Sequence, residues 1–282
     1  MAPVVHPLVD ARVRLFSAGV MPPLDHARLR DTVHAALAAL PWAHALWEGG
    51  STAFGRADEW SDVDLQVDVD DAKVAETFAA VEAALAEIAT VDLVYVVPEP
   101  AWHGHSQRFY RFADAPSWLM LDLCVIRQSN PGKFIEPELH GNARVLFDRT
   151  GLFGQPPRVD RAAMEQAVRA KLAALTVRFE LFQPLVTKEI WREHPIDAWH
   201  FYQGLTLAPL ITLLRMQHDP LRYDWSARYL HHLLPKTEAD KLTRLSYVGS
   251  AAELPARQTE AVAWFRNLAN SLKARSRLIP ER

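Results

Sequence analysis

The chain has 282 residues, 49% of them hydrophobic and 23% charged, which excludes a disordered or collagen-like protein. Its one cysteine, Cys124, excludes a disulfide scaffold and a cysteine-built zinc site. The net charge of −3 hides an acidic first part and a basic second part: residues 1–150 carry 12 Lys and Arg against 21 Asp and Glu, residues 151–282 carry 19 against 13. Two unevenly charged surfaces account for this simply; a metal site facing an anion-binding wall is the functional alternative. No apolar run reaches about 18 residues, so no membrane span is expected. Met1 to Arg14 lacks a basic segment followed by an apolar core, so a cytoplasmic location is expected. Only 11 glycines are present, yet Gly49, Gly50 and Gly55 fall within seven positions.

In chain order, Leu24 to Leu40 reads as a helix that Pro41 stops. Ala43 to Glu48 reads as a strand running into Gly49-Gly50. Asp62 to Val69 alternates, with Val63, Leu65, Val67 and Val69 on one face and Asp62, Asp64, Gln66 and Asp68 on the other. Ala72 to Ala89 has helical spacing, and Asp70 or Asp71 suits its N-cap. Asp92 to Val97, Arg108 to Phe112 and Leu119 to Ile126 read as strands. Trp102-His103-Gly104-His105 between them reads as a loop, with metal or acceptor binding as the alternative.

Beyond Gly151 to Pro157 the pattern turns helical. Arg161 to Val186 carries an apolar stripe of Met164, Val168, Leu172, Leu175, Phe179 and Phe182, and Pro184 is expected to weaken its last turn. Asp197 to Gln217 reads as a central helix kinked at Pro209. Ala227 to Leu234 and Glu260 to Arg277 read as further helices. The expected class is α+β: an N-terminal mixed sheet with flanking helices over 1–153, then an α-helical bundle over 154–282.

The chemistry concentrates in two places. Gly49-Gly50 lets the chain turn sharply after a strand, and Ser51 opens a short helix whose exposed N–H groups favour phosphate. About ten residues later Asp62 and Asp64, at i and i+2, share one strand face. Adjacent carboxylates suit a hard divalent cation such as Mg²⁺, which is usually shared with substrate phosphates. Asp122 stands in the otherwise apolar run Leu119 to Ile126, where an ionised carboxylate is costly without a compensating partner. Arg56 is near enough in sequence to neutralise phosphate charge; pairing with Asp58 or Glu59 is the alternative.

Glycine-glycine-serine, the spacer, Asp62-x-Asp64 and the later Asp122 resemble the signature of the DNA polymerase beta-like nucleotidyltransferase superfamily. The whole layout, with Asp219-Pro220-Leu221-Arg222-Tyr223-Asp224-Trp225 late in the chain, is similar to the aminoglycoside adenylyltransferase-type branch. The resemblance implies a nucleotidyltransferase domain over 1–153 and a helical substrate-binding domain over 154–282. It implies two Mg²⁺ ions held by Asp62, Asp64 and Asp122, and a nucleoside triphosphate co-substrate, ATP foremost. Gly49, Gly50, Ser51, Arg56 and Arg222 would contact the nucleotide. A nucleoside monophosphate would pass to a hydroxyl of a small molecule such as an aminoglycoside-like antibiotic, releasing pyrophosphate. Asp122 would also accept the hydroxyl proton. A protein or tRNA acceptor, and a non-catalytic nucleotide-binding regulator, stay open as alternatives. Glu180, Glu189 and Glu193 are either acceptor-pocket or plain surface glutamates.

Overall fold

The computed structural model describes residues 24–280; the stretch Met1–Arg14, read above for a leader, lies outside them. Its contacts divide the chain into two compact units, the first ending at Pro157 and the second starting at Arg158.

The first unit is a six-stranded mixed sheet with helices packed on it. Its elements are α1 (His26–Ala38), β1 (Ala43–Glu48), α2 (Gly50–Ala53), β2 (Val63–Val69), α3 (Val74–Ala86), β3 (Val91–Val96), β4 (Ser106–Phe112), β5 (Met120–Arg127), α4 (Pro137–His140) and β6 (Arg144–Asp148). The strand order is β3-β4-β5-β2-β1-β6. Only β2 and β5 run parallel; every other neighbouring pair is antiparallel. The alternation read in Asp62 to Val69 decides which face is which. Val63, Leu65, Val67 and Val69 join Leu121, Leu123 and Val125 in a buried cluster with Leu29, Val33 and Leu37 of α1 and Phe78, Val81 and Leu85 of α3. Burial of each such side chain stabilises the unit by about 1.5–3 kcal/mol. Asp25 caps α1 by accepting from Arg28 N at 2.8 Å.

The opposite sheet face carries a smaller apolar patch of Ala45, Trp47, Cys124, Ile126 and Ile135. Beside it Lys133 donates to Asp68 at 2.5 Å, with both side chains nearly fully buried. Asp70 occupies an N-cap position but makes no capping hydrogen bond; it pairs with His44 at 2.7 Å. Asp71 instead accepts from Ser129 N.

The second unit is helical among its described residues: α5 (Arg161–Trp191), α6 (Pro195–Phe201), α7 (Ala208–His218), α8 (Leu230–Leu233), α9 (Lys236–Ser246) and α10 (Leu254–Ala274). Val168, Leu172, Leu175 and Phe179 form the buried stripe of α5, and Phe179 stacks on Phe265 of α10 with ring centroids 3.5 Å apart. One expectation is corrected: Pro184 does not lie in the last turn of α5, which continues to Trp191. The central helix runs from α6 through a π-helical segment, Tyr202–Leu207, directly into α7 with Pro209 as its second residue; π-turns and prolines are where the regular i→i−4 ladder of a helix is broken. Gln183 on α5 is buried because it serves that segment: its Nε2 donates to Leu205 O at 2.8 Å and its Oε1 accepts from Thr206 at 2.9 Å.

Candidate functional site

The end of β1 delivers the chain to Gly49, whose N–H donates to Asp64 O at 2.9 Å. This bond places the Gly49-Gly50 turn against β2. Gly50 has φ +51°, a left-handed conformation that glycine takes at little cost. A Cβ built on Gly50 would lie 1.7 Å from Asp64 Oδ2, and one on Gly49 would lie 2.5 Å from Gln66 Nε2. Gly50 is therefore required both by its left-handed backbone and by the close approach of Asp64, whereas at Gly49 only the mobile end of Gln66 is in the way.

The four-residue α2 follows. Ala53 N donates to Gly49 O at 3.1 Å, and Ala53 O accepts from Asn142 N at 2.8 Å. Ser51 is buried, and its Oγ has no hydrogen-bond partner. Thr52 donates to the buried Glu48 at 3.0 Å, and Glu48 Oε2 has the Arg144 guanidinium at 3.8 Å. The turn thus presents polar groups on a fixed platform.

The parallel register of β2 and β5 pairs Asp64 directly with Asp122. Residues opposite each other on paired strands point to one face, so the two carboxylates are neighbours there. Gln66 pairs with Cys124 and Asp68 with Ile126 in the same register. Burial, with the Asp122 charge as a lesser cause, pushes the Cys124 thiol well above its ordinary range. Cys124 is therefore an inert member of the patch, not a nucleophile. Asp62 lies just before β2 and is half-buried.

Gln107 completes this face. It pairs with Cys124 across the β4–β5 ladder, diagonal to Asp122, and its Nε2 donates to both Asp122 oxygens, at 2.7 and 2.9 Å. The sequence reading missed this residue, because it began the strand at Arg108. The neighbouring histidines lie in the expected loop between β3 and β4, where Trp102 is exposed and His105 is turned inward. His105 is 1% exposed, its ring stacks on His103 with centroids 5.1 Å apart, and it meets the edge of Phe134 at 4.8 Å.

The structure therefore brings Gly49, Gly50, Asp64 and Asp122 together, with Ser51 next to them and Asp62 adjoining β2. Arg56 lies over the Phe54 ring at 5.5 Å. Arg222 belongs to the second unit, where it pairs with Asp219 at 3.1 Å and lies over Trp225 at 5.5 Å. Glu180 is paired with Arg266, and Glu189 with Arg192 and His194, so both act as surface ion-pair partners. Among the described residues, no group of three or more His, Cys, Asp or Glu side chains stands ready-assembled for a metal ion. The donor chemistry nevertheless fits one. Asp64 and Asp122 offer hard oxygen ligands at one register position, beneath a turn that admits no side chain at Gly50.

No protein-family model matches the chain, and no curated protein matches it by sequence. Among the solved structures similar to it are the following three. One is an aminoglycoside 6-adenyltransferase from Bacillus subtilis, at 13% identity over 89% of this chain and 90% of that one, with a TM-score of 0.36. Another is a spectinomycin adenyltransferase from Enterococcus faecialis, solved with ATP and spectinomycin, at 11% identity over 88% and 100%, TM-score 0.35. The third is a nucleotidyltransferase-like protein from Exiguobacterium sibiricum, at 14% identity over 88% and 76%, TM-score 0.36. Among the described residues, no helix is long and apolar enough to cross a membrane.

Proposed function

We propose that this chain is a Mg²⁺-dependent nucleotidyltransferase that moves a nucleoside monophosphate from a triphosphate, ATP foremost, to a hydroxyl of a small molecule. The observation that carries the reading is the pairing of Asp64 with Asp122 under the Gly49-Gly50 turn. Two carboxylates at one register position repel each other, and a sequence keeps such a pair where a cation compensates it.

In this reading Asp62, Asp64 and Asp122 hold the metal. Bound there, Mg²⁺ supplies Lewis-acid stabilisation of charge on the phosphoryl oxygens and lowers the pKa of the attacking hydroxyl. The Gly50 backbone and Ser51 bind and orient the leaving phosphates, since N–H groups at a helix start favour anions, while the Gly49 N–H holds the turn to Asp64 O. Asp122 takes the proton of the acceptor hydroxyl. The hydroxyl oxygen forms a bond to the α-phosphorus, the bond from that phosphorus to the bridging oxygen breaks, and pyrophosphate leaves with the electron pair. Arg56 is proposed as a cation for the nucleotide phosphates. Residues 1–153 are proposed as the catalytic part and 154–282 as the part that selects the acceptor. An aminoglycoside-like antibiotic is the acceptor class this reading favours.

The test is incubation with labelled ATP, GTP, CTP or UTP, Mg²⁺ and a panel of acceptors, reading pyrophosphate release and label transfer. Transfer to a small hydroxylated acceptor supports the reading. Transfer only to tRNA or protein replaces the acceptor class. Nucleotide binding with no transfer to any acceptor overturns the catalytic assignment.

A further inference from the structure

The geometry points to Gln107 as the positioning residue for Asp122, fixing the orientation of that carboxylate beside Asp64. The inference rests on the reading of Asp64 and Asp122 as metal-binding carboxylates.

A carboxylate at the end of a short side chain rotates freely about its last torsion unless something fixes it. Gln107 Nε2 donates to Oδ1 at 2.7 Å and to Oδ2 at 2.9 Å. Lying 2.7 and 2.9 Å from one nitrogen, the two oxygens share a single N–H in a three-centre bond, which favours the orientation in which the carboxylate plane contains that nitrogen. Each carboxylate oxygen carries two lone pairs, so a shared N–H does not exhaust what the group can accept. An amide also adds no charge. A lysine at 107 would neutralise the Asp122 carboxylate and compete with the metal; a carboxylate at 107 would add repulsion.

Gln107 is itself held. It sits within β4, paired to Cys124 across the ladder, so its backbone cannot drift relative to β5. Outer groups that orient a ligand typically change metal affinity by about 10–100-fold.

The test uses the full chain and Mn²⁺ alone, with affinity read by electron paramagnetic resonance. Gln107→Met keeps length and removes both donors. The expected result is about tenfold weaker Mn²⁺ binding in Gln107→Met, and no further weakening when Gln107→Met is added to Asp122→Asn. With nucleotide and acceptor, kcat falls while the nucleotide KM holds. Gln107→Leu serves as the second variant, and circular dichroism melts confirm folding of each. If Asp122→Asn weakens Mn²⁺ binding but neither Gln107 variant does, the positioning role is overturned and the metal assignment stands. If the wild type binds no Mn²⁺, or Asp122→Asn binds it unchanged, the metal assignment is overturned and the role of Gln107 with it.

Discussion

Gly50 and Asp64 occupy space that only one of them can fill: a Cβ on Gly50 would stand 1.7 Å from Asp64 Oδ2. Gly55, five residues on, also has a left-handed φ, +63°, but nothing lies within 4 Å of the Cβ it lacks. The two glycines therefore separate backbone strain from site geometry. Gly55→Ala carries only the conformational cost, about 1 kcal/mol of stability, and is expected to keep transfer activity within a few-fold. Gly50→Ala carries the same cost and also displaces Asp64. It is expected to lose at least about a hundredfold in kcat/KM, or ~2.7 kcal/mol of transition-state stabilisation. Thermal melts and label transfer on both variants check this. Equal loss of activity in the two would show that the turn, not its approach to Asp64, is what matters.

The Asp64–Asp122 pair predicts opposite effects on activity and stability. Like charges directly opposite on paired strands are destabilising, by about 0.2–1 kcal/mol. Asp64→Asn removes one of them and is expected to leave the chain as stable or slightly more stable in a metal chelator. The same variant is expected to abolish transfer and to lose the stabilisation that Mg²⁺ gives the wild type. Denaturant titrations with and without Mg²⁺ read both quantities. A variant that stays responsive to Mg²⁺ would contradict the ligand role.

Much of this face was legible from residue order, and the reasons differ by element. β1 was readable as Ala43–Glu48 because a short apolar run ends at two glycines. β2 was readable because it alternates without a break and both of its faces have work to do. β6, Arg144–Asp148, was not, because it is a half-exposed edge strand with no alternation in burial. α9, Lys236–Ser246, was not, because it buries only Leu242 and Leu245 and carries too thin an apolar stripe. Gln107 could not be read at all. A polar residue one position into a strand has no local signal; its meaning comes from the β4–β5 register, which sets it diagonal to Asp122.

Lys133 and Asp68 give a stability prediction independent of catalysis. Lys133 Nζ donates to Asp68 Oδ1 at 2.5 Å, to Arg127 O at 2.7 Å and to Gln128 O at 3.1 Å. All three ammonium donors are thus used. Lys133→Met leaves the buried Asp68 without its cation and is expected to cost about 3–5 kcal/mol. Adding Asp68→Leu removes the stranded charge and is expected to recover most of that loss. Denaturation of the two single variants and the double closes the cycle. If the double is no more stable than Lys133→Met, the carbonyl contacts of Lys133, not its pairing with Asp68, hold this segment.

His105 makes stability depend on pH in a window that can be stated in advance. Its ring is 1% exposed, Asn130 Nδ2 lies 3.2 Å from Nδ1, and Nε2 is buried without a hydrogen-bond partner. Burial first, then the nearby His103 and Lys133 charges, lowers its pKa from 6.5 to about 4. The unfolded chain therefore takes up a proton near pH 6.5 that the folded chain refuses until near pH 4. Stability rises with pH wherever the unfolded state binds more protons, so this contribution is full above pH 6.5 and is lost as pH falls toward 4. The slope approaches that of one proton, about 1.4 kcal/mol per pH unit at its steepest. His105→Phe removes the titration, so the wild type is expected to lose stability more steeply than the variant as pH falls through this window, and the difference between them to change with pH. Carboxylates lose their own contributions at still lower pH in both proteins, so the comparison is made between pH 6.5 and 4. Parallel stability curves for wild type and variant over that range would mean that the ring takes up its proton without opening the cluster around Phe134.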